Sequence, residues 1–301
     1  MGNITIYLLV SVTALFWGAN FVLAGPVLDA LPPLWAAAVR FLLAAGMMLA
    51  IAGMRRENLL GLLRRHAVVY ALLGIVGITA FNVLFFYAMK STSANNGALI
   101  MAINPLLTVL LAAIFLGERV TGRHALALPV ALAGVAVVIS GGDLARLETL
   151  RFSHGDLLML AATLSWAAYN ILTRRFMPQG SPLAHTSWIM AAGALALLAF
   201  ALGSGSHIHA VGEKAISSML LMVVGGTVLA YLFWGMGILR LGAGRTAIFI
   251  NLVPVFAMLT GSVIGKLPSG AQLVGGLLVL SGVIIAMLPS RRRLAAGAET
   301  P

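Results

Sequence analysis

Trp166, Tyr169 and Asn170 stand at i, i+3 and i+4 in the apolar stretch ATLSWAAYNILTRRF (162–176), so on a helix they share one face. An indole and a phenol offer flat faces to an apolar ligand, and an amide beside them can both donate and accept hydrogen bonds. Trp17 and Asn20 form a shorter stripe of the same kind in LFWGANFVL (15–23), and Asn82, Tyr231 and Trp234 lie inside other apolar runs. Together these residues suit the binding of a small amphipathic molecule. The competing use of such amides is to join membrane helices, at ~0.6–2 kcal/mol per hydrogen bond. Two prolines add backbone chemistry: Pro105 in MAINPLLTVLLAAIFL and Pro254 in FINLVPVFAMLTGSVIGK each sit inside a run that reads as helix. A proline there is a helix break, and it deprives the carbonyl four residues earlier, of Met101 or Ile250, of its donor. Such a carbonyl must face protein or a wet cavity, where it can accept from a substrate ammonium. Alternatively, the prolines only bend the helices to fit their neighbours.

Two charged residues approach the same apolar runs. Arg40 is placed to clamp a carboxylate, or else to snorkel outward past Pro33. Asp156, next to His154 at the start of an apolar run, is either interfacial or a proton site. Other chemistry is excluded. There is no cysteine, hence no thiolate nucleophile, disulfide or thiolate metal site. No HExxH, GxSxG or P-loop occurs, and the eight acids include no pair within one helix of the kind that holds a metal in membrane transferases. No catalytic residue, metal or cofactor is expected, and the chain does not read as an enzyme. A channel would require a charged or carbonyl-lined filter about an axis.

The elements that must carry these side chains follow from composition. Hydrophobic residues form 61% of the 301 and charged residues 9%, with a mean hydropathy of +1.03, so lipid must cover most of the surface. Apolar stretches of spanning length lie at 4–24, 33–53, 67–90, 92–116, 122–140, 154–177, 182–203, 214–240, 243–264 and 270–288. The fold class expected is therefore all-α and integral to the membrane, with ten transmembrane helices. The first stretch lacks a basic leader and reads as a retained helix rather than a signal peptide. With a cytoplasmic N-terminus, 13 basic residues fall on the cytoplasmic side and 5 on the other, Arg40 lying inside a span. Positive-inside bias then places both termini in the cytoplasm and the 54–66 and 174–181 loops with them. The net charge of +11 is a topology signal, and no nucleic-acid partner is expected. Trp35 and Trp188 fit interfacial belts.

The chain also repeats itself. An offset of 149 residues brings Trp17 onto Trp166, Pro33 onto Pro182, Asn82 onto Tyr231 and Pro105 onto Pro254. Dropping one residue aligns GERVTGRHALALPVALAGV (117–135) with GKLPSGAQLVGGLLVLSGV (265–283), where Glu118 is replaced by Lys266. Five spans per half is an odd number, so the second half must enter from the opposite side, as two inverted five-helix repeats. Paired, proline-interrupted segments in such halves point to a binding site at mid-membrane.

The half-repeat, with W-x-x-N near its start, a proline in its fourth helix and LGERVTGRHALALPVALAGVAVV (116–138) at its close, resembles the EamA repeat of the drug/metabolite transporter superfamily. The resemblance covers roughly 8–288. It implies a first EamA-like repeat at 1–141, a second at 154–288 and a basic cytoplasmic tail at 289–301. It further implies a ten-helix carrier of the bacterial inner membrane, sufficient as a monomer, that exports small metabolites by alternating access. The stretch 162–176 is most similar to exporters of aromatic and other neutral amino acids, which would make the partner a zwitterionic small molecule. Without an acid in the first span, transport is expected to be facilitative or exchange-type. The alternative is proton-coupled efflux through Asp156, with a membrane-embedded transferase or a channel as the readings from other classes.

Overall fold

The computed structural model describes residues 2–287 except 93, 141, 144–152, 207, 209, 210, 264 and 266. The basic tail 289–301, with Arg291 to Arg293, and the basic residues Arg146, Arg151 and Lys266 lie outside the described residues. Among the described residues every regular element is helical. The order is α1 (Asn3–Ala30), α2 (Pro33–Met54), α3 (Leu59–Ala88), α4 (Ala94–Ala102), α5 (Asn104–Leu116) and α6 (Gly122–Ser140). Then come α7 (His154–Phe176), α8 (Pro182–Gly203), α9 (Glu213–Leu241), α10 (Ala243–Val263) and α11 (Gly270–Met287).

Eight of these helices are long and apolar enough to cross a bilayer, and the end of α4 with α5 makes a shorter apolar stretch, Ile100–Leu116. The chain is a multi-pass membrane protein. At 23 residues α7 is long enough to cross, yet it falls outside the eight because it carries more polar and charged groups. Its polarity has a structural reason. Asp156, Thr163, Asn170 and Thr173 on α7 are all buried, so this helix faces protein rather than lipid along much of its length.

Several boundaries differ from the sequence reading. Helix α1 does not end near residue 24 but continues through Pro26 to Ala30, so the first helix does contain an acid, the exposed Asp29. Arg64 and Arg65, expected in a loop, lie on α3. The expected span start at 67 matches a break in that helix, where His66 leaves helical geometry (φ −127°, ψ 17°). The expected helix break at Pro105 falls two residues earlier. Ile103 forms the turn and Pro105 occupies the first turn of α5, where its missing N–H costs nothing. Before Pro254 the backbone tightens into a 3₁₀ turn, Ile248–Asn251.

Two helices contain a distortion that the sequence did not announce. Residues Ile75–Ala80 of α3 and Val224–Leu229 of α9 are π-helical, at an offset of 149 from each other. A π turn stretches its backbone hydrogen bonds and leaves carbonyls poorly satisfied. Each turn contains a buried threonine: Thr227 donates to the Met222 carbonyl five residues back at 2.9 Å, whereas Thr79 donates to the Gly193 carbonyl of α8 at 3.0 Å, with the Gly74 carbonyl five residues back at 3.5 Å.

Packing repeats with the same offset. Helix α1 lies against α9 and α10, and α7 lies against α3 and α5, while α2 pairs with α8 and α6 with α11. The α6–α11 contact depends on glycine. A Cβ on Gly134 would fall 2.6 Å from the Val279 amide nitrogen, and one on Gly275 2.8 Å from the Gly134 carbonyl, so the two backbones touch.

Candidate functional site: an aromatic and amide cluster between helices

Five helices deliver one cluster of rings. Trp17 of α1 lies 5.4 Å from Trp166 and 5.0 Å from Trp234 between ring centroids, and Tyr231 is 5.7 Å from Trp166. Tyr169 is 5.2 Å from Trp166 and 6.3 Å from Tyr231. Phe81 of α3 closes on Trp166 at 5.3 Å, and Phe41 of α2 meets Tyr231 edge to face at 5.6 Å. Trp166, Tyr169, Tyr231 and Trp234 are buried, so these rings form an interior wall and not an interfacial belt. Trp35 and Trp188 behave differently: their indoles donate to the Ser206 and Leu59 carbonyls near helix ends, as belt residues do.

Hydrogen bonds fix part of the cluster. The Trp234 indole donates to Asn170 Oδ1 at 2.9 Å, and Asn170 Nδ2 donates to Thr108 Oγ1 at 3.3 Å. Thr108 in turn donates to Asn104 Oδ1 at 3.3 Å, and Asn104 Nδ2 reaches the Thr163 carbonyl at 2.8 Å. This chain bolts α5 to α7 and α7 to α9. Asn170 therefore has a structural partner on each side of its amide.

The two repeat-related tryptophans are not equivalent. Trp17 Nε1 donates to the Gly226 carbonyl at 3.1 Å. Trp166 Nε1 is buried and has no partner among the described residues. A buried donor left unpaired costs ~1–3 kcal/mol, which a ligand acceptor would remove. Asn20 Oδ1 and both polar atoms of the Asn251 amide are likewise buried without partners. The π turns bring the backbone close to this wall: a Cβ on Gly77 would overlap the Tyr169 ring, and one on Gly226 would overlap the Asn20 amide. Gly77 and Gly226 are related by the same offset, as are Asn20 and Tyr169.

The remaining sequence candidates are more scattered. Asn82 is buried and donates to its own helix, to the Ile78 carbonyl at 2.7 Å. Met101 and Ile250 are half-buried, and Ile250 packs against the buried core. Arg40 neighbours Phe41 and so borders the cluster at Tyr231. Asp156 does not belong to it. Ser153 and Asp156 form a reciprocal cap at the start of α7, with Thr92 also donating to the carboxylate, and ten residues of helix separate Asp156 from Trp166, about 15 Å. Asn104, an amide inside an apolar run, is visible in the sequence as a candidate for the cavity lining, whereas Phe41, Phe81 and Thr108 carry no signal there.

A second set of polar contacts lies at the far end of these helices. Glu118, just after α5, accepts from the Ala243 amide at 3.0 Å and the Gly244 amide at 3.2 Å, the first N–H groups of α10. Arg175 donates to the Phe115 carbonyl at 3.3 Å, and Arg174 donates to the Leu239 carbonyl.

The sequence profile of the EamA-like transporter family matches this chain twice, at 4–140 and 153–288. Among curated relatives, the uncharacterized transporter YyaM of Bacillus subtilis is 38% identical over 93% of this chain and 92% of its own length. The probable terminal-alkyne amino-acid exporter of Streptantibioticus cattleyicolor is 29% identical, over 80% of this chain and 77% of its own. The aromatic amino acid exporter YddG of Ancylobacter novellus is 26% identical, over 94% and 98%. One solved crystal structure superposes with a TM-score of 0.79 at 23% identity, covering 99% of this chain and all of that one, a likeness of fold.

Proposed function

Because the chain belongs to the EamA-like transporter family, we propose that it is a secondary transporter that exports small metabolites, foremost aromatic or other neutral amino acids, by alternating access. Its units are the repeats 1–141 and 154–288, inverted with respect to each other. In this reading α4 and α5 together make one broken span and α7 makes another, giving ten. The matched π turns and matched helix pairings support the repeat, and the odd number of spans per half supports its inversion. The protein is placed in a bacterial inner membrane with both termini inside.

The observation that carries the reading is the wall of half-buried Trp17 and buried Trp166, Tyr169, Tyr231 and Trp234, in which the Trp166 indole N–H has no acceptor among the described residues. Aromatic faces suit an apolar side chain, and free donors and acceptors suit the polar end of an amino acid. Facilitative or exchange transport is favoured over proton coupling. Asp156, the acid nearest a helix interior, is occupied in capping α7 and stands about 15 Å along the helix from Trp166. The test is counterflow in proteoliposomes with a panel of neutral, basic and acidic amino acids. Saturable counterflow of aromatic or aliphatic neutral amino acids is expected, and its absence across the panel would overturn the reading.

A further inference from the structure

Arg40 lies on α2 seven residues past Pro33, about 10 Å along the helix from its start. Its Nε is buried and has no hydrogen-bond partner among the described residues. The guanidinium carbon sits 4.8 Å from the centroid of the Phe41 ring, which in turn meets Tyr231 at 5.6 Å. The ring wall therefore has a cation at its border.

No described acid neutralises it. Asp29, Asp143 and Glu213 are exposed. Glu57 accepts from Ser181, Glu118 holds the start of α10, and Asp156 caps α7. Arg40 is half-buried as a residue, and a guanidinium partly withdrawn from water with no described counter-ion is costly, a cost that a ring face beside it offsets only in part. Its planar fork of N–H donors matches a carboxylate in two parallel hydrogen bonds. Around the ring wall the structure offers amide oxygens and π faces, but no described carboxylate that would pair with an ammonium.

We propose that Arg40 is an anion-binding group of the substrate site. It selects compounds that join a carboxylate to an aromatic or apolar body, whether or not they carry an amine. This deepens the preceding reading and rests on the ring wall being the substrate site. The substrate class then extends from zwitterionic amino acids to simple monocarboxylates, and the α-amino group contributes little to recognition.

The test compares three probes of one shape on the purified full chain: 3-phenylpropanoate, 3-phenylpropanamide and 2-phenylethylammonium. Binding is read by tryptophan fluorescence, since Trp17, Trp166 and Trp234 line the wall. The propanoate is expected to bind at least tenfold more tightly than the amide or the ammonium. Arg40→Gln should erase that preference, and Arg40→Lys should keep part of it. Equal binding of propanoate and amide to the unaltered protein, or no binding by any probe, overturns the proposal without reliance on a variant that folds poorly. Counterflow separates this inference from the one beneath it. Carboxylate-selective binding with no counterflow supports Arg40 as the anion group and overturns the transport reading. Counterflow that treats propanoate and amide alike overturns the role of Arg40 and leaves the transport reading in place.

Discussion

Glu118 is expected to act as a latch between the two halves of the chain. It follows Gly117, which ends α5 in the left-handed conformation (φ +64°), and its carboxylate meets the first two amides of α10. On the α10 side Gly242 has φ +98°, and a Cβ there would stand 3.0 Å from Glu118 Oε1. Two glycines thus make the contact sterically possible. A carboxylate accepting from backbone N–H groups contributes ~1.5–3 kcal/mol per bond, with ~0.3–1 kcal/mol from the helix dipole. The contact is partly open to water, which can replace the lost acceptors. Removing the carboxylate should therefore shift the closed-to-open equilibrium at this end by about 1–3 kcal/mol, a factor of about 5–150. Because the chain has no cysteine, a single Thr246→Cys provides a reporter at a buried site on α10. Its maleimide labelling should accelerate by that factor in Glu118→Gln and Glu118→Ala. A second reporter, Val27→Cys, is buried near the opposite end of α1 and should not accelerate. Unchanged labelling at 246 would refute the latch. Equal acceleration at both sites would show general loosening instead, and would refute it equally.

Four further outcomes are expected. Trp166→Ala should abolish transport while expression and detergent stability stay near normal; a protein that fails to accumulate would mark the residue as core packing. Asn170→Leu leaves the fully buried Trp234 indole N–H unpaired, at about 1–3 kcal/mol, so its thermal unfolding in detergent should fall below that of the unaltered protein; an unchanged midpoint would refute the bond's role. Asp156→Asn should weaken the cap of α7 by ~0.5–2 kcal/mol yet leave counterflow insensitive to an imposed pH gradient; gradient-driven accumulation that this variant abolishes would make Asp156 a coupling site. Cysteines placed singly at Asn58 and Gln179 should resist impermeant reagents added outside intact cells, and strong labelling there would reverse the topology.

The positions of the helices could be read from the chain because lipid imposes a simple rule: long apolar runs become helices. Even the start expected at 67 has a counterpart in the break at His66. The sequence offers Trp17, Trp166, Tyr169, Tyr231 and Trp234 of the rings that gather, but nothing in it marks Phe41 and Phe81 as joining them. What could not be read were contacts between helices far apart in sequence. Nothing local to Trp234 says that its indole will meet Asn170, or that Thr108 and Asn104 will extend the chain. Asymmetry was equally hidden, since Trp17 and Trp166 look alike in the sequence and differ only in what their N–H groups find. The π turns escaped because no residue type demands them. Pro105, by contrast, was given too much weight: a proline is costly inside a helix but harmless in its first turn, and the sequence does not show where that turn begins.

The π turns also carry a record of the order of events in the history of this chain. A single-residue insertion is the simplest origin of such a turn, because it widens one loop of the helix and leaves the register on either side intact. An insertion arriving after the halves had become separate would mark only one of them. Both halves carry the turn, at Ile75–Ala80 and Val224–Leu229, each beside a glycine that admits a side chain from the other half. On the repeat proposed above, the widened turn predates the doubling. On the inverted repeat proposed above, the ancestral unit would already have had this irregularity, and two such units would have met in opposite orientations to bring it together with its mate.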